Sequence, residues 1–427
     1  MRHVYSLLIH LLRPVAFGVV LWRGLGNRAY WEGLRERFGP GARPHSIPAG
    51  GRCLWVHAVS LGEVSAAAPL IRALGARHPQ LPLVLTTATP SGRARARTLF
   101  GAAVTVRFLP YDTPGAMRRF VARMRPRIVV IMETELWPNL YHQCRRRGVP
   151  IVLANARLSA TSVTRYRRCG ALFRDLFAGD TFVAAQSRAD AERFVAIGAA
   201  PAQTSVMGNL KFDVLVDAAS VARGAALRSA CWDARPVWVA GSTHAGEEEM
   251  VLDAHALLQG PVPGALLLLV PRHPERFAAV AALLARRGIC YERRSSDTPV
   301  RADVEVLLVD TVGELAALYA AVDVAFVGGS LVPVGGHNLV EPAALGVPVL
   351  MGPHQLNARE VAELLVREGA AATVANAAQL AARLEELLGD PVLRRQFAAN
   401  AARAVAQNRG SLERLIDLIE SRLAATP

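Results

Sequence analysis

From Leu54 onward, short apolar runs alternate with stretches of helical periodicity, in two successive series. In the first series Leu54-Trp55-Val56, Leu83-Val84-Leu85, Val104-Thr105-Val106, Ile128–Ile131, Ile151-Val152-Leu153 and Phe182-Val183-Ala184 read as buried strands. Helical patterns such as Val64–Ala76 and Ala116–Met124 lie between them. The second series starts near Pro236 with Val237-Trp238-Val239, then Leu266–Val270, Val304–Val309, Val324-Ala325-Phe326 and Val347–Met351, separated by Glu247–Leu258 and Phe277–Arg287. Strands buried on both faces and joined through helices make a parallel α/β sheet. At 427 residues the chain is long enough for two such cores. The expected architecture is therefore two doubly wound, Rossmann-like domains facing a cleft, with Asn209–Ala230 as the linker. Ser411–Ala424 forms an amphipathic last helix, a candidate to pack back on the N-terminal domain.

Ahead of the first strand, Val4–Leu12 and Val15–Trp22 are apolar, with Arg13-Pro14 between them. Together they approach the roughly 20 residues of a spanning helix, but a charge and a proline in the middle suit a helix lying in one leaflet better. Trp22, Tyr30 and Trp31 would then sit at headgroup depth. The competing reading is a buried first helix of the domain. The charge is uneven: residues 1–213 carry 30 Lys+Arg against 11 Asp+Glu, a net of +19, and residues 214–427 carry 19 against 24, a net of −5. The basic half is expected to meet something anionic. Arg145-Arg146-Arg147 and Arg93–Arg97 have no interleaved aromatics, which argues against nucleic acid as that partner. Cys53, Cys144, Cys169, Cys231 and Cys290 are dispersed without CxxC spacing, which fits a reducing compartment.

Candidate chemistry lies where strands end, since helix N-termini there turn N–H groups outward. In Trp55-Val-His57-Ala-Val-Ser60-Leu-Gly62-Glu63, Glu63 falls in the first turn of a helix. It is either a general base or the second half of a capping box with Ser60. Glu133 and Glu135 follow an apolar strand, two residues apart and expected on one side. Lys211, the single lysine, stands in Gly208-Asn209-Leu-Lys211-Phe-Asp213 at the domain junction, where an ammonium can support a phosphate. In the second half, Gly241-Ser242-Thr243-His244 with Glu247-Glu248-Glu249 reads as a turn capping a helix. Pro271-Arg272-His273-Pro274-Glu275-Arg276 puts two cations and a histidine at a strand mouth, and Asp310-Thr311-Val312-Gly313-Glu314 opens a helix. Gly328-Gly329-Ser330 and Gly335-Gly336-His337-Asn338-Leu339-Val340-Glu341 suit a nucleotide sugar, with free N–H groups for phosphate and a glutamate for ribose. The chain has no HxxxH, DxD or Cys/His cluster, so no metal is expected.

These segments resemble the 3-deoxy-D-manno-octulosonic acid (Kdo) transferases of lipid A biosynthesis, through WVHAVSLGE at 55–63, LTTATPSG at 85–92, METELWPNL at 132–140, NARLS at 155–159, GNLKFD at 208–213, STHAGEEE at 242–249, VPRHPERF at 270–277 and GGSLVPVGGHNLVEPAALGVPVLMGPH at 328–354. The resemblance implies a GT-B fold and transfer of Kdo from CMP-Kdo to lipid IVA. The reaction would be inverting and metal-independent, with no cofactor, at the cytoplasmic face of the inner membrane. It implies a membrane-associated helix over 1–30, an acceptor domain over 31–213 and a CMP-Kdo-binding domain over 214–427. Glu63 matches the proposed base for the 6′-hydroxyl; Glu133 and Lys211 match positions credited with transition-state support. The segments Pro271-Arg272-His273, Val312-Gly313-Glu314, Gly329-Ser330 and Asn338-Leu339-Val340-Glu341 fall to the donor. The partners so implied are CMP-Kdo, lipid IVA and an anionic membrane surface, with no nucleic acid and no protein partner.

Overall fold

The structure, a computed structural model, describes residues 1–38, 51–213, 218–232, 235–296 and 300–425. Their strands form two seven-stranded sheets, all parallel. The first contains β1 (Cys53–His57), β2 (Leu83–Thr87), β3 (Thr105–Phe108), β4 (Pro126–Met132), β5 (Ile151–Ala156), β6 (Thr181–Ala185) and β7 (Thr204–Val206), in the order β3-β2-β1-β4-β5-β6-β7. The second contains β8 (Val237–Thr243), β9 (Leu266–Pro271), β10 (Tyr291–Arg293), β11 (Val306–Leu308), β12 (Val324–Val327), β13 (Val349–Met351) and β14 (Ala371–Thr373), in the order β10-β11-β9-β8-β12-β13-β14. Strand order reverses between β1 and β4 and between β8 and β12, which sets a ligand crevice at each reversal.

Side-chain alternation explains why both faces of each sheet need helices. In β1, Cys53 and Trp55 enter one apolar cluster while Leu54 and Val56 enter another. In β8, Trp238 and Ala240 face one way and Val237 and Val239 the other. The chain divides into two compact units, residues 1–213 with 409–427, and residues 214–408. The last helix, Ser411–Ala424, belongs to the first unit, where Leu415, Ile416, Ile419 and Leu423 are buried against the β1–β4 face. Each such side chain is worth roughly 1.5–3 kcal/mol of burial. The Asp213 carboxylate fixes the start of this helix by accepting the N–H groups of Gly410 (2.6 Å) and Leu412 (2.6 Å).

Two sequence expectations need correction. Asn209–Ala230 is not a linker throughout. Leu210–Phe212 is a 3₁₀ turn of the first unit, and Ala218–Leu227 is a helix of the second, packed on Leu315–Tyr319. At Gly224 an added Cβ would lie 2.4 Å from the Ala317 carbonyl oxygen, so the two backbones touch where no side chain fits. The alanine-rich composition of this helix carries no clear apolar stripe, which hid it. The strands absent from the sequence reading, β7, β10 and β14, are three-residue edge strands, partly exposed, and so lack a continuous apolar run.

The N-terminal helix runs unbroken from Arg2 to Gly26 through Pro14. Leu7, Leu11, Val15, Trp22 and Leu25 share one stripe by helical spacing, and all are 60–75% exposed. The buried-helix reading fails on that exposure. By length and composition the helix could cross a membrane. Its opposite side is tied to the first unit: Ser6 Oγ donates to Asn139 Oδ1 at 3.0 Å, and the Tyr5 hydroxyl bonds to Asp112.

Candidate active site

In the first unit the chain leaves β1 at His57, turns through Ala58-Val59-Ser60 and enters the helix Leu61–Arg77. Ser60 caps it, accepting the Glu63 N–H at 3.3 Å, and its hydroxyl donates to Glu63 Oε1 at 2.9 Å. Glu63 Oε2 accepts the Val59 N–H at 2.8 Å. The Ser60 half of the expected capping box is thus present, while Glu63 reaches back one residue further, to the Val59 N–H, and remains only 8% exposed. Burial, with the charges of Glu133 and Glu135 behind it, pushes Glu63 up to about 7, against the opposing pull of the Val59 N–H. The helix-capping role considered for Glu63 is therefore met, and the same carboxyl group keeps a raised affinity for a proton. A Cβ at Gly62 would meet nothing nearer than Ser60 Oγ at 3.9 Å, so the glycine leaves the approach to this turn open.

Glu133 follows β4 with a left-handed φ of 56°, rare for a residue with a side chain. That backbone turn breaks strand alternation, and Glu133 and Glu135 take different partners, yet the charge of each raises Glu63. Glu133 Oε2 accepts from Arg157 Nε at 2.9 Å, while Glu135 Oε2 accepts from Trp137 Nε1 at 2.9 Å. Burial raises the Glu135 carboxyl as well. Beyond this segment, Asp112 accepts the N–H groups of Asn139 (2.9 Å) and Leu140 (2.8 Å) and is pushed up to about 7 by burial. Asn139 also carries the Ser6 contact, so the N-terminal helix abuts the end of the Glu133–Glu135 loop.

Lys211 sits on the 3₁₀ turn Leu210–Phe212. The Asn209 side chain caps it, accepting the Lys211 N–H at 3.0 Å, and Asn155 Oδ1 accepts the Leu210 N–H at 3.1 Å. Asn155, near the end of β5 in the NARLS stretch, has a role there that the motif alone does not reveal; its φ is 52°. An asparagine placed straight after an apolar strand is the sequence signal that could have found it, because asparagine tolerates that conformation.

In the second unit the Gly-rich loop differs from expectation. The amides of Gly329 and Ser330 are not free for phosphate. Glu247, fully buried, accepts them at 2.7 and 3.0 Å, with Leu331 at 2.9 Å and His244 at 3.3 Å. Ser330 Oγ is also engaged, donating to Val327 O and accepting the Gly352 N–H. This pair builds the loop from within. The reason is a buried carboxylate beside a turn rich in N–H donors, each of which needs an acceptor.

Arg272 leaves the end of β9 exposed, its N–H bonded to Thr243 O at 3.0 Å. Arg276 is spent on the buried Glu248 (2.9 and 3.1 Å), so only one of the two expected cations is available at that mouth. Three imidazoles gather there instead. His244 stacks on His337 with ring centroids 5.0 Å apart and Nε2···Nε2 at 2.8 Å, and His273 meets His244 edge-on at 5.4 Å. Burial first, then His244 and Arg272, lower His337 to about 4, and burial lowers His244 as well. Val312, Gly313 and Glu314 line a cavity of about 570 Å³ with Arg223 and Arg294. Glu314 pairs with Arg294 at 3.2 Å. Asn338 Oδ1 accepts the Val340 N–H at 3.0 Å, its Nδ2 donates to Glu341 Oε1 at 3.0 Å, and burial raises Glu341. The Leu339 and Val340 side chains are buried, leaving these two residues only their main chain to offer.

Residues 32–214 match the family model described as 3-Deoxy-D-manno-octulosonic-acid transferase (kdotransferase), and residues 290–404 match Glycosyl transferases group 1. A 3-deoxy-D-manno-octulosonic acid transferase of Haemophilus influenzae is 37% identical over 423 residues, 99% of each chain. One from Bordetella pertussis is 41% identical over 438 residues, again 99% of each. The crystal structure of Acinetobacter baumannii MurG, at 16% identity and TM-score 0.55, covers 87% of this chain and 99% of its own, which fits the GT-B arrangement of two parallel sheets.

Proposed function

The chain belongs to the 3-deoxy-D-manno-octulosonic acid (Kdo) transferase family, and we propose that it moves Kdo from CMP-Kdo to the 6′-hydroxyl of lipid IVA, with inversion, in lipopolysaccharide core biosynthesis. The observation that carries this reading is Glu63, a nearly buried carboxyl group held at about 7. A base with that affinity is half ionised at neutral pH and still able to take a proton as the bond forms.

In the proposed step the acceptor hydroxyl gives its proton to Glu63 while its oxygen bonds to the anomeric carbon of Kdo. The bond from that carbon to the phosphate oxygen breaks, and its electron pair leaves with CMP. To Lys211 and Arg272 we assign the offsetting of charge on departing CMP, and to Glu133 support of the transition state. No metal or other cofactor takes part. Pro271, Arg272 and His273 meet the phosphate end of the donor. Val312, Gly313 and Glu314 present their cavity to its nucleoside, and Asn338–Glu341 present main-chain groups and a carboxyl to the ribose. Gly329 and Ser330 act behind them, shaping the loop.

The acceptor is an anionic lipid, which fits the net +19 of residues 1–213 and the exposed apolar stripe of the N-terminal helix. That helix would lie in the cytoplasmic face of the inner membrane. The test is purified protein with CMP-Kdo and lipid IVA, followed by product mass. A gain of one or more Kdo masses is the expected result; intact substrates under conditions that support a known member of the family would overturn the donor or acceptor assignment.

A further inference from the structure

Glu133 and Lys211 are 78 residues apart in sequence, yet both are held by the end of one strand. We propose that the carboxyl end of β5, Ala154–Arg157, is a jig that sets the two together, with Asn155 as the positioning residue for Lys211. The inference rests on the transferase reading above.

On the Glu133 side the contacts are direct. The Glu133 N–H donates to Ala154 O at 2.9 Å, which pins the backbone in its left-handed turn. Arg157 Nε holds the carboxylate at 2.9 Å, and the Thr134 hydroxyl donates to Arg157 O. On the Lys211 side Asn155 acts twice. Its Oδ1 accepts the Leu210 N–H, and its main-chain oxygen accepts from Gln186 Nε2 at 3.0 Å. Gln186 Oε1 in turn accepts from Asn209 Nδ2 at 3.0 Å, and Asn209 Oδ1 accepts the Lys211 N–H. The result is a closed ring of amides from β5 through the end of β6 to the lysine turn and back.

Asn155 bears two costs at this place. Its φ of 52° is unfavourable for any residue with a Cβ, and its Nδ2 is buried without a hydrogen-bond partner. Glycine would relieve both. What only the side chain supplies is the acceptor for the Leu210 N–H, and that bond ties the Lys211 turn to the strand end that also holds Glu133. A turn freed by a fraction of an ångström would keep the fold and misplace the ammonium.

The deciding experiment uses full-length protein carrying Asn155→Gly, Lys211→Ala and both together, assayed with CMP-Kdo and lipid IVA by product mass. Asn155→Gly is expected to lower kcat roughly 30-fold, because small misplacements of a catalytic group are that costly, while KM for CMP-Kdo stays within about twofold. Its melting temperature is expected to hold or rise. In the Lys211→Ala background the same substitution should cost less than about twofold, since there is no ammonium left to misplace. Gln186→Leu cuts the ring one step further out and should show the same pattern with a smaller loss, which keeps the test open if the glycine variant unfolds. Asn155→Gly with kcat within about threefold of the parent, or an equal loss with and without Lys211, overturns the proposal. Full activity in Lys211→Ala would instead remove the catalytic reading of the lysine itself, and loss of all Kdo transfer by the parent would remove the reaction.

Discussion

Glu63 and Glu247 occupy corresponding places in the two units, each in the first turn of the helix that follows the first strand of its sheet in chain order. Glu63 receives two donors, the Val59 N–H and the Ser60 hydroxyl, and stays slightly exposed beside two other carboxyl groups. Glu247 is sealed from solvent and receives four backbone N–H groups, three of them from one loop. The difference teaches that position in the fold does not decide what a buried carboxyl group does. The donors around it do, because each N–H offsets part of the desolvation that a charge suffers. Glu63, with two donors, keeps a raised affinity for a proton; Glu247, with four, holds a loop.

The sharpest break of this comparison is substitution of each by its nearest neutral relative. Glu63→Gln keeps an oxygen for the Val59 N–H but cannot accept a proton, so kcat should fall roughly 10²–10⁴-fold with little change in melting temperature; near-parental turnover would return Glu63 to helix capping alone. Glu247→Ala should do the reverse. It strands four amides, so the second unit is expected to lose more than about 3 kcal/mol of stability in denaturant titration. A loss below about 1 kcal/mol would mean water replaces the carboxylate at no great cost.

A smaller effect concerns the N-terminal helix, which we propose brings the first unit to lipid. Leu11→Asp, on the exposed stripe, should weaken binding to anionic vesicles by roughly tenfold or more in a flotation assay. Unchanged flotation would show that the basic surface alone suffices.

The smallest effect tests the charge coupling. Since the carboxylate form of Glu63 is the active one, kcat/KM should fall below pH about 7. Glu135→Gln removes a like charge, so this acidic limb should move to lower pH by a fraction of a unit. A limb that does not move assigns the acidic pKa elsewhere. The same group works against the fold. Raised from 4.5 to about 7, it contributes stability that is fully present below 4.5 and lost as pH rises through 7.

Interior strands and amphipathic helices were legible because burial on both faces writes a continuous apolar run. Glu247–Leu258 and Ser411–Ala424 have the limits their periodicity predicts. Edge strands such as Tyr291–Arg293 write no such run. At the site, Glu63, Glu133 and Lys211 stood out as charges at strand ends. What the sequence could not show is who satisfies whom: that Glu247 fills the Gly329–Ser330 loop, that Arg276 is consumed by Glu248, or that Asn155 reaches across 55 residues to Leu210. Such pairings depend on register and turn geometry, which periodicity does not encode.

The return of the chain to its first unit has a consequence for biogenesis. The second unit is one uninterrupted segment and has all its residues once Asn408 has been synthesised. The first unit lacks Leu415, Ile416, Ile419 and Leu423 until their own codons are read, so the apolar face they cover stays open while some 195 residues of the other unit are made. A ribosome stalled or released late would therefore yield a chain with a complete second unit and an unsealed first unit, and the adhesive surface would belong to the unit that also carries the exposed apolar N-terminal helix.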